Sequence, residues 1–368
     1  MYIKKIELNN FRNYSELSLD FDSRLNLILG NNAQGKTNLL EAVYVSSIGR
    51  SFRTNRDTDL IKFGCDYARI NTKTEKEYTD GSVEIILSKN KNKYAKVDGV
   101  KIRKASELLK NIYLVIFSPE DLKLVKDEPE KRRKFIDREL CQIKPAYYDN
   151  LAKYKKILMQ RNAYLKEYET DKSILDVWDI QLARHGAAIT EYRNEFIKKL
   201  SLLSGNIHSG ISNGREKLEI KYAPNLEISD DKKTQEEIFY SALKKAFEND
   251  IRQRTTTRGP HKDDIEFFIN DINARSFGSQ GQQRTAALSL KLAEISIIKE
   301  ESGETPILLL DDVMSELDLE RQEYLIKSLS EMQLFITTTE IPDILKEKQA
   351  DGKLFYVENG KIKELQSE

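Results

Sequence analysis

Eight consecutive residues form a glycine-rich loop with the pattern G-x-x-x-x-G-K-T, which is the clearest chemical signal in the sequence. The mostly apolar residues 25–29 before it predict a buried strand, and residues 38–43 after it predict a helix. In this context backbone N–H groups can surround phosphate oxygens, the lysine can reach the terminal phosphates, and the threonine hydroxyl can ligate magnesium. The pattern therefore predicts a nucleotide and Mg²⁺ site, rather than a chance turn, at Gly30, Asn31, Asn32, Ala33, Gln34, Gly35, Lys36 and Thr37.

A second apolar run, residues 306–310, ends in two consecutive acids. A strand that ends in acid supplies the carboxylate with which a phosphate-loop site holds magnesium opposite the loop threonine. We therefore predict that Asp311 binds the metal together with Thr37, and that Asp312 orients or deprotonates the attacking water. Lys36 is the other predicted catalytic residue, because its ammonium reaches the β- and γ-phosphates. Taken alone, the acidic pair could equally be a surface turn after a core strand.

Three downstream segments narrow the class of nucleotide-binding protein. Residues 279–284 (SQGQQR) precede a helix predicted over residues 285–300, and by themselves they could be an ordinary helix cap. Residues 315–318 (SELD) follow the acidic pair, and residues 334–339 form a third predicted strand that ends in threonines. The order of these segments resembles that of the ABC-type ATPases, in particular the DNA-repair branch that includes the SMC proteins.

The resemblance to ABC-type ATPases implies that ATP and Mg²⁺ bind at a site shared by two subunits, and that a homodimer forms when ATP binds. Ser279, Gly281 and Gln282 of one protomer would then contact the γ-phosphate held by the other. The residue types suit this role: glycine permits close backbone approach, serine offers a hydroxyl, and a helix N-terminus attracts anions. A transporter ATPase would carry a Leu-Ser-Gly-Gly signature and a switch histidine, whereas this sequence has Ser279-Gln280-Gly281 and Thr338 or a neighbour.

Further blocks in family order resemble the RecF family within this branch; they cover residues 3–14, 51–54, 117–122, 129–137 and 258–264. The resemblance implies a weak ATPase that acts in recombinational repair of gapped DNA. ATP would close the dimer on double-stranded DNA or on single-strand/duplex junctions, and hydrolysis would reopen it. RecR and RecO would be partners that help to load RecA. A cytoplasmic, nucleoid-associated protein is implied as well.

Several basic residues could contact a ligand. In related ATPases the loop after the first strand lies near the nucleotide, so Arg12 is a candidate phosphate contact, and Arg53 is a second one. Three basic clusters could contact DNA or could form solvated salt-bridge networks. The sequence does not choose among them; they lie at residues 131–134, 153–156 and 252–258.

Composition restricts the function only a little. The 60 basic and 60 acidic residues balance, so DNA would have to bind at a local patch. No apolar run approaches the roughly 20 residues of a membrane span, and the first residues do not resemble a signal peptide. Cys65 and Cys141 have no ligand-like spacing. An SMC-type organiser would need long heptad segments and a nuclease-fused ATPase an added acidic domain, and we predict neither.

Periodicity divides the sequence into three segments. Residues 1–117 are predicted to be mainly strands of the ATPase lobe, residues 118–255 a helical insertion, and residues 256–368 the part with the signature, the acidic strand and the 315–318 loop. The predicted fold class is α/β: an ABC-type P-loop ATPase head of mixed sheets and helices, with an inserted, mainly helical second lobe and no long coiled coil. Residues 204–213, rich in Gly, Ser and Asn, predict a loop within the insertion.

Overall fold

The computed structural model describes residues 1–76, 79–167, 171–329, 331–346 and 352–365. The chain forms two compact units, of which the first comprises Met1–Leu122 and Lys291–Glu368, and the second Lys123–Leu290. In the described residues, no helix has both the length and the apolar character needed to cross a membrane.

A six-stranded sheet in the first unit contains the strand before the glycine-rich loop. Its order is β15 (Lys361–Leu365), β14 (Gly352–Glu358), β3 (Leu25–Leu29), β13 (Leu334–Thr338), β12 (Ile307–Asp311) and β8 (Leu114–Phe117). All neighbours are parallel except the edge pair β14–β15. Parallel strands covered on both faces need continuous apolar runs, and β12 and β13 are accordingly buried at every position.

The other sheet of the first unit is antiparallel. Its order is β2 (Tyr14–Asp20), β1 (Tyr2–Phe11), β4 (Tyr67–Glu75), β5 (Asp80–Ser88), β6 (Tyr94–Val97) and β7 (Val100–Lys101). Buried and more exposed positions alternate along β4, as expected for a sheet with one core face. Helix α1 (Lys36–Ile48) contacts strands of both sheets and is buried on nearly every side.

Strand register decides which residues meet at one edge of the parallel sheet. Asp311 of β12 lies opposite Thr337 of β13, and Thr338 lies opposite Leu29 at the end of β3. Because the carboxyl ends of parallel strands share an edge, the glycine-rich loop, the acidic pair and the polar end of β13 come together there.

The second unit consists of helices around a small antiparallel sheet in the order β11 (Ile272–Asn273), β10 (Asp264–Ile269) and β9 (Leu218–Ala223). Its helices are α2 (Pro129–Ile143), α3 (Pro145–Tyr164), α4 (Lys172–Ile211), α5 (Lys232–Gln253), α6 (Ala274–Phe277) and α7 (Gln280–Ser302). The last part of α7, from Lys291, belongs to the first unit. Two short helices, α8 (Leu319–Lys327) and α9 (Asp343–Lys346), belong to the first unit.

Two of the helix limits predicted from the sequence are wrong. Helix α7 begins at Gln280 and not at residue 285, so most of the signature run forms its first turn. Helix α4 continues to Ile211 through the segment predicted to be a loop. A Cβ on Gly205 would lie 3.0 Å from the carbonyl oxygen of Leu218, so the absence of a side chain lets α4 lie against β9. That packing overrides the low helix propensity of the segment.

The limits of the two compact units differ from the domain limits predicted at residues 118 and 256. Residues 118–122 group with the first unit, and residues 256–290 group with the second, where β10 pairs along its whole length with β9. The division at residues 118 and 256 was drawn from sequence patterns, in which this non-local strand pairing cannot be seen. As a statement about functional domains, it remains a prediction.

Candidate nucleotide-binding site

The glycine-rich loop is held from two sides by residues far away in the sequence. On one side, Asn13 Nδ2 and the Tyr14 hydroxyl donate to the carbonyl oxygens of Gln34 and Gly35, each over 2.9 Å. On the other side, the backbone N–H of Asn359, in the β14–β15 turn, donates to Gln34 Oε1 over 2.7 Å. The loop is therefore already fixed by the protein in a defined conformation.

Two glycines of the loop are required by its close contacts. Gly30 has φ +149°, and a Cβ there would lie 2.4 Å from the Val357 carbonyl oxygen. Gly35 has φ +123°, and a Cβ there would lie 2.6 Å from Asn13 Nδ2. Any side chain at either position would strain the backbone and displace one of the two supports.

Lys36 is folded back into the loop. Its side chain is 3% exposed, and Nζ donates to the carbonyl oxygens of Gly30 at 2.7 Å and Asn31 at 3.4 Å. The nearest carboxylate oxygen in the site, Asp312 Oδ1, lies 3.9 Å from Nζ. The ammonium is thus positioned by neutral carbonyl groups, which leaves most of its charge available to an anion in the loop.

The predicted metal ligands meet at one point. Thr37 Oγ1, in the first turn of α1, donates to Asp311 Oδ1 over 2.9 Å, and Thr337 Oγ1 donates to the same oxygen over 2.9 Å. Burial raises the pKa of Asp311, against the lowering effect of these two hydroxyl groups. A hydroxyl and a carboxylate oxygen are the hard donors that Mg²⁺ prefers. The donor set therefore fits magnesium.

The described residues contain no group of three or more His, Cys, Asp or Glu side chains placed to hold a metal ion. Mg²⁺ in nucleotide sites usually takes one or two protein ligands and completes its shell with phosphate oxygens and water. The small donor set of Thr37 and Asp311 is in keeping with that kind of site.

Asp312 turns out of β12 immediately after Asp311. Its φ is +51°, in the left-handed region, and its backbone N–H donates to Thr337 Oγ1 over 2.9 Å. Its side chain is 37% exposed, whereas Asp311 is buried. The two neighbouring carboxylates thus have different environments, one inside the strand end and one open to solvent, as a metal ligand and a water-orienting group would need.

A buried carboxylate that the sequence analysis missed holds both candidate arginines. Glu41 of α1 is 0% exposed and accepts from Arg12 Nε and Nη2, each over 2.7 Å. Arg53 Nη1 lies 3.4 Å from Glu41 Oε2, and the Ser51 hydroxyl donates to Glu41 Oε1. An acid in an apolar helix segment is costly to bury unless it is paired. The sequence signal for this buried ion pair is a glutamate among the apolar residues of segment 38–43.

The signature residues lie in the second unit at the start of α7. Ser279 Oγ accepts from the N–H of Gln282 over 3.2 Å, and Gln282 Oε1 accepts from the N–H of Ser279 over 2.9 Å. This reciprocal pair is a capping box, so the helix-cap interpretation holds for the structure as it stands. Gln282 also donates through Nε2 to Glu216, whose other oxygen lies 3.0 Å from His208 Nε2. Helix α7 begins at Gln280, and a helix N-terminus is a position where an anion can bind.

The basic clusters differ in how far their charges are compensated. Arg132 is buried and bidentate on Asp264, at 2.6 and 2.8 Å. Lys134 pairs with Glu130 at the surface, and Lys155 pairs with Asp137. Arg254, in the left-handed conformation, ends α5.

The chain matches one protein family over almost its whole length. The family described as "RecF/RecN/SMC N terminal domain" matches residues 2–363. The DNA replication and repair protein RecF of Clostridium botulinum (strain Okra / Type B1) is 46% identical over 369 residues, covering 99% of this chain and 100% of that protein. A solved structure of the recombination mediator protein RecF with ATP, in the RecFOR pathway, is 38% identical and superposes with a TM-score of 0.91, over 99% of this chain and 98% of that one.

A more distant structure, an Smc head bound to the C-winged helix domain of ScpA, superposes with a TM-score of 0.56 at 17% identity, over 100% of this chain and 98% of that chain. At that identity the likeness shows the fold alone. The predicted fold class, an α/β ATPase head with a mainly helical insertion, is confirmed.

Proposed function

This chain belongs to the RecF family of bacterial DNA replication and repair proteins, and from that membership we propose that it is an ATPase that dimerises and binds DNA when it binds ATP. The observation that carries the proposal is the convergence of Lys36, Thr37, Asp311 and Asp312 at one edge of the parallel sheet. Those side chains are the ones that bind a nucleoside triphosphate and prepare it for hydrolysis.

Nucleotide binding is assigned to the loop residues and their neighbours. The backbone N–H groups of residues 30–37 and the N-terminus of α1 surround the phosphates, and the Lys36 ammonium exchanges its carbonyl contacts for phosphate oxygens. Thr37 and Asp311 would hold Mg²⁺, which would supply positive charge to neutralise the charge that develops on the phosphates. Arg12 is assigned a phosphate contact, and its two hydrogen bonds to the buried Glu41 carboxylate support the assignment because they orient the guanidinium.

Hydrolysis is assigned to Asp312. Its carboxylate is partly exposed and lies 3.9 Å from the Lys36 ammonium, so it can accept a hydrogen bond from a water beside the terminal phosphate. Asp312 orients that water and takes up its proton as the water oxygen bonds to the γ-phosphorus, while the bond from that phosphorus to the departing ADP oxygen breaks. Slow turnover suits a protein in which ATP serves as a timer for the bound state.

Dimerisation is assigned to the start of α7. Ser279, Gly281 and Gln282 of one protomer complete the site of the other by contacting its γ-phosphate, so the closed dimer needs ATP on both sides. The α7 cap supports this role because it presents a helix N-terminus, where anions are stabilised. Hydrolysis removes the bridging phosphate and allows the protomers to separate.

The biological role follows from the family. Closure of the dimer assembles a surface for double-stranded DNA and for single-strand/duplex junctions. The protein then works with RecR and RecO to help load RecA onto gapped DNA, in the cytoplasm and at the nucleoid. A curated relative named for DNA replication and repair, and an ATP-bound relative assigned to the RecFOR pathway, support this role.

Substitution of Lys36 tests the proposal. Lys36→Ala removes the charge that faces the terminal phosphates, so ATP affinity, ATP-driven dimerisation and ATP-dependent DNA binding should all be lost together. Analytical ultracentrifugation and fluorescence anisotropy with a labelled duplex measure the last two. Lys233→Ala is a matched control, since Lys233 is an exposed lysine at the start of α5 in the second unit. Normal ATP-induced dimers of Lys36→Ala would contradict the site assignment.

A further inference from the structure

A cavity of about 220 Å³ lies wholly within the second unit, and none of the residues assigned to ATP lines it. Helices α2, α3 and α4 and the turn Pro260–Lys262 form its walls. Four cationic side chains and two neutral polar ones line it: Arg133, Lys134, Lys155, Arg193, Tyr154 and His261. Two acids, Glu130 and Asp137, line it as well.

The deepest of these charges is already balanced. Arg193 is buried, and its guanidinium pairs with Asp137 at 2.7 Å and with Asp263 at 3.1 Å, while the Pro260 carbonyl accepts at 2.6 Å. The Tyr147 hydroxyl donates to Asp137 as well. This network fixes the shape of the cavity. Because Arg193 and Asp137 neutralise each other within it, neither charge decides which ligand binds.

Arg133 differs from its neighbour Arg132. Arg132 is satisfied by the Asp264 carboxylate, whereas Arg133 Nη1 donates over 2.7 Å to the backbone carbonyl of Asp263. Across the part of the chain that the structure describes, no carboxylate lies within ion-pair distance of the Arg133 guanidinium. Burial, together with the nearby Arg193 charge, lowers the pKa of Arg133. A partly desolvated cation beside a second cation would gain from an anion.

Two lysines at the mouth of the cavity add to this charge. Lys134 pairs with Glu130 at 2.7 Å, and Lys155 pairs with Asp137 at 3.1 Å. The Lys134 side chain is 63% exposed and the Lys155 side chain is 60% exposed. Surface ion pairs of this kind contribute roughly 0–1 kcal/mol, so either lysine can turn toward a stronger anion at little cost.

The remaining polar wall is neutral. His261 Nε2 lies 2.9 Å from the Thr256 carbonyl oxygen, which can only accept, so this nitrogen carries the hydrogen. Burial lowers the pKa of His261 to about 4, and the ring is uncharged near pH 7. Nδ1 then accepts from the Tyr154 hydroxyl over 2.7 Å. The wall offers hydrogen-bonding atoms without cancelling the positive charge of Arg133.

We propose that this cavity binds one phosphate monoester, carried by the end of a DNA strand or by a free nucleotide. A monoester bears about 1.5 to 2 negative charges at pH 7 and three strong acceptor oxygens, which match a guanidinium fork and two mobile ammonium groups. The volume is below the roughly 300–1,000 Å³ of sites that enclose a drug-sized molecule, so it suits a terminal group. The DNA-end form of the inference rests on the proposed function.

The test uses the full-length protein with ATP and duplexes that differ only in their ends. Fluorescence anisotropy compares 5′-phosphate, 3′-phosphate and hydroxyl ends, and AMP and inorganic phosphate are titrated separately against tyrosine fluorescence. Arg133→Gln and the exposed Lys155→Gln are the variants; Lys153→Gln, exposed on the same helix but outside the cavity, is the control. Thermal melts establish that each variant is folded.

Charge-assisted hydrogen bonds predict a preference of roughly tenfold or more for phosphorylated ends. Loss of that preference in both variants, and its retention in Lys153→Gln, supports the DNA-end form. Arg133-dependent binding of AMP or phosphate with no end preference supports the free-nucleotide form. The inference is overturned if all ends bind equally and neither AMP nor phosphate has an effect that depends on Arg133. If ATP still promotes DNA binding in that case, the proposed function survives. Absent DNA binding with intact AMP binding would instead refute only the function.

Discussion

Asp312 combines an unusual backbone with an exposed carboxylate. Its φ of +51° places it in the left-handed region, where asparagine and aspartate are the best tolerated residues after glycine. Substitution by asparagine therefore keeps the turn and the size of the side chain, and it removes the negative charge and the basicity of the carboxylate. This makes it possible to test the catalytic assignment without disturbing the fold.

For Asp312→Asn we expect ATP binding to persist, because Thr37 and Asp311 are unchanged, and hydrolysis to fall roughly 10²-fold or more for the loss of a general base. The ATP-bound dimer should last longer, as measured by sedimentation after excess ADP is added. Asp271→Asn is a matched control, since Asp271 is exposed and has φ +63°. Loss of dimerisation together with hydrolysis would make Asp312 a structural or metal ligand, and Glu316 would be the next candidate base.

His261 has a consequence for the pH dependence of stability. Its pKa is lowered to about 4 by burial, against about 6.5 in the unfolded chain, so the unfolded state binds the extra proton between these values. Stability from this group is present above pH 6.5 and is lost as the pH falls toward 4. The loss should approach about 1.4 kcal/mol per pH unit within that window.

Substitution by glutamine checks this expectation. Denaturant unfolding at pH 7 and pH 5 should show that wild type loses more free energy of unfolding than His261→Gln over the same interval. Subtracting the variant's change in free energy of unfolding from that of wild type cancels the contributions of the other titrating groups, which the two proteins share. Parallel pH profiles of the two proteins would show that His261 titrates normally in the folded state.

At the scale of elements, the start of α7 has two duties. The Ser279–Gln282 capping box stabilises the helix in a single chain, and the same turn is proposed to contact a partner's γ-phosphate. An alanine substitution would not separate the two roles, because it removes the proposed phosphate contact and also the N-cap, whose loss alone costs about 1 kcal/mol of stability. Asparagine and aspartate both cap about as well as serine, and they differ from each other in charge.

We therefore expect Ser279→Asn and Ser279→Asp to unfold at similar temperatures and to bind ATP as monomers with unchanged affinity. Ser279→Asp should fail to dimerise with ATP, because its carboxylate would face the partner's γ-phosphate. Ser279→Asn should dimerise at least partly. Light scattering with and without ATP distinguishes the two variants, and equal dimerisation of both would contradict the shared site.

A second element-scale constraint lies where α4 meets α5. A Cβ at Gly186 would lie 1.8 Å from Phe239 Cε1, so the two helices approach more closely than any side chain allows. Gly186→Ala should destabilise the protein by roughly 1–3 kcal/mol through overpacking, despite the better helix propensity of alanine. Phe239→Leu should recover part of this loss in the double variant. Denaturant unfolding of the four proteins in this cycle measures the coupling.

At the scale of the whole molecule, the 60 basic and 60 acidic residues cancel. The overall field therefore cannot attract DNA, and affinity must come from a limited number of local phosphate contacts. If ATP brings two protomers onto one duplex, the number of contacts should double. Nucleotide state would then change the salt dependence of binding as well as its strength.

We expect the slope of log K against log salt concentration, about −0.9 per phosphate contact, to be roughly twice as steep with ATP as with ADP. Anisotropy titrations between about 50 and 200 mM salt measure both slopes. Lys36→Ala should show the shallower slope with either nucleotide. Equal slopes for wild type in both states would mean that ATP changes affinity without adding a second protomer's contacts.

Local pattern alone determined the parts of the site whose signals lie within a few residues. The strand, loop and helix around residues 25–48 were predicted because apolar runs, glycines and the Lys-Thr pair are contiguous, and the buried strands ending at Asp311 and Thr338 were predicted in the same way. Short-range backbone preferences and burial are enough to specify such units.

Tertiary structure decided what depends on distant partners. Glu41 looks like an ordinary polar helix position until the first strand brings Arg12 against it. The Thr337 hydroxyl meets Asp311 only through strand register, and residues 204–211 become helical only because α4 packs on β9. In each case the deciding energy is a contact between segments far apart in sequence, and a periodic pattern carries no information about which segment will supply it.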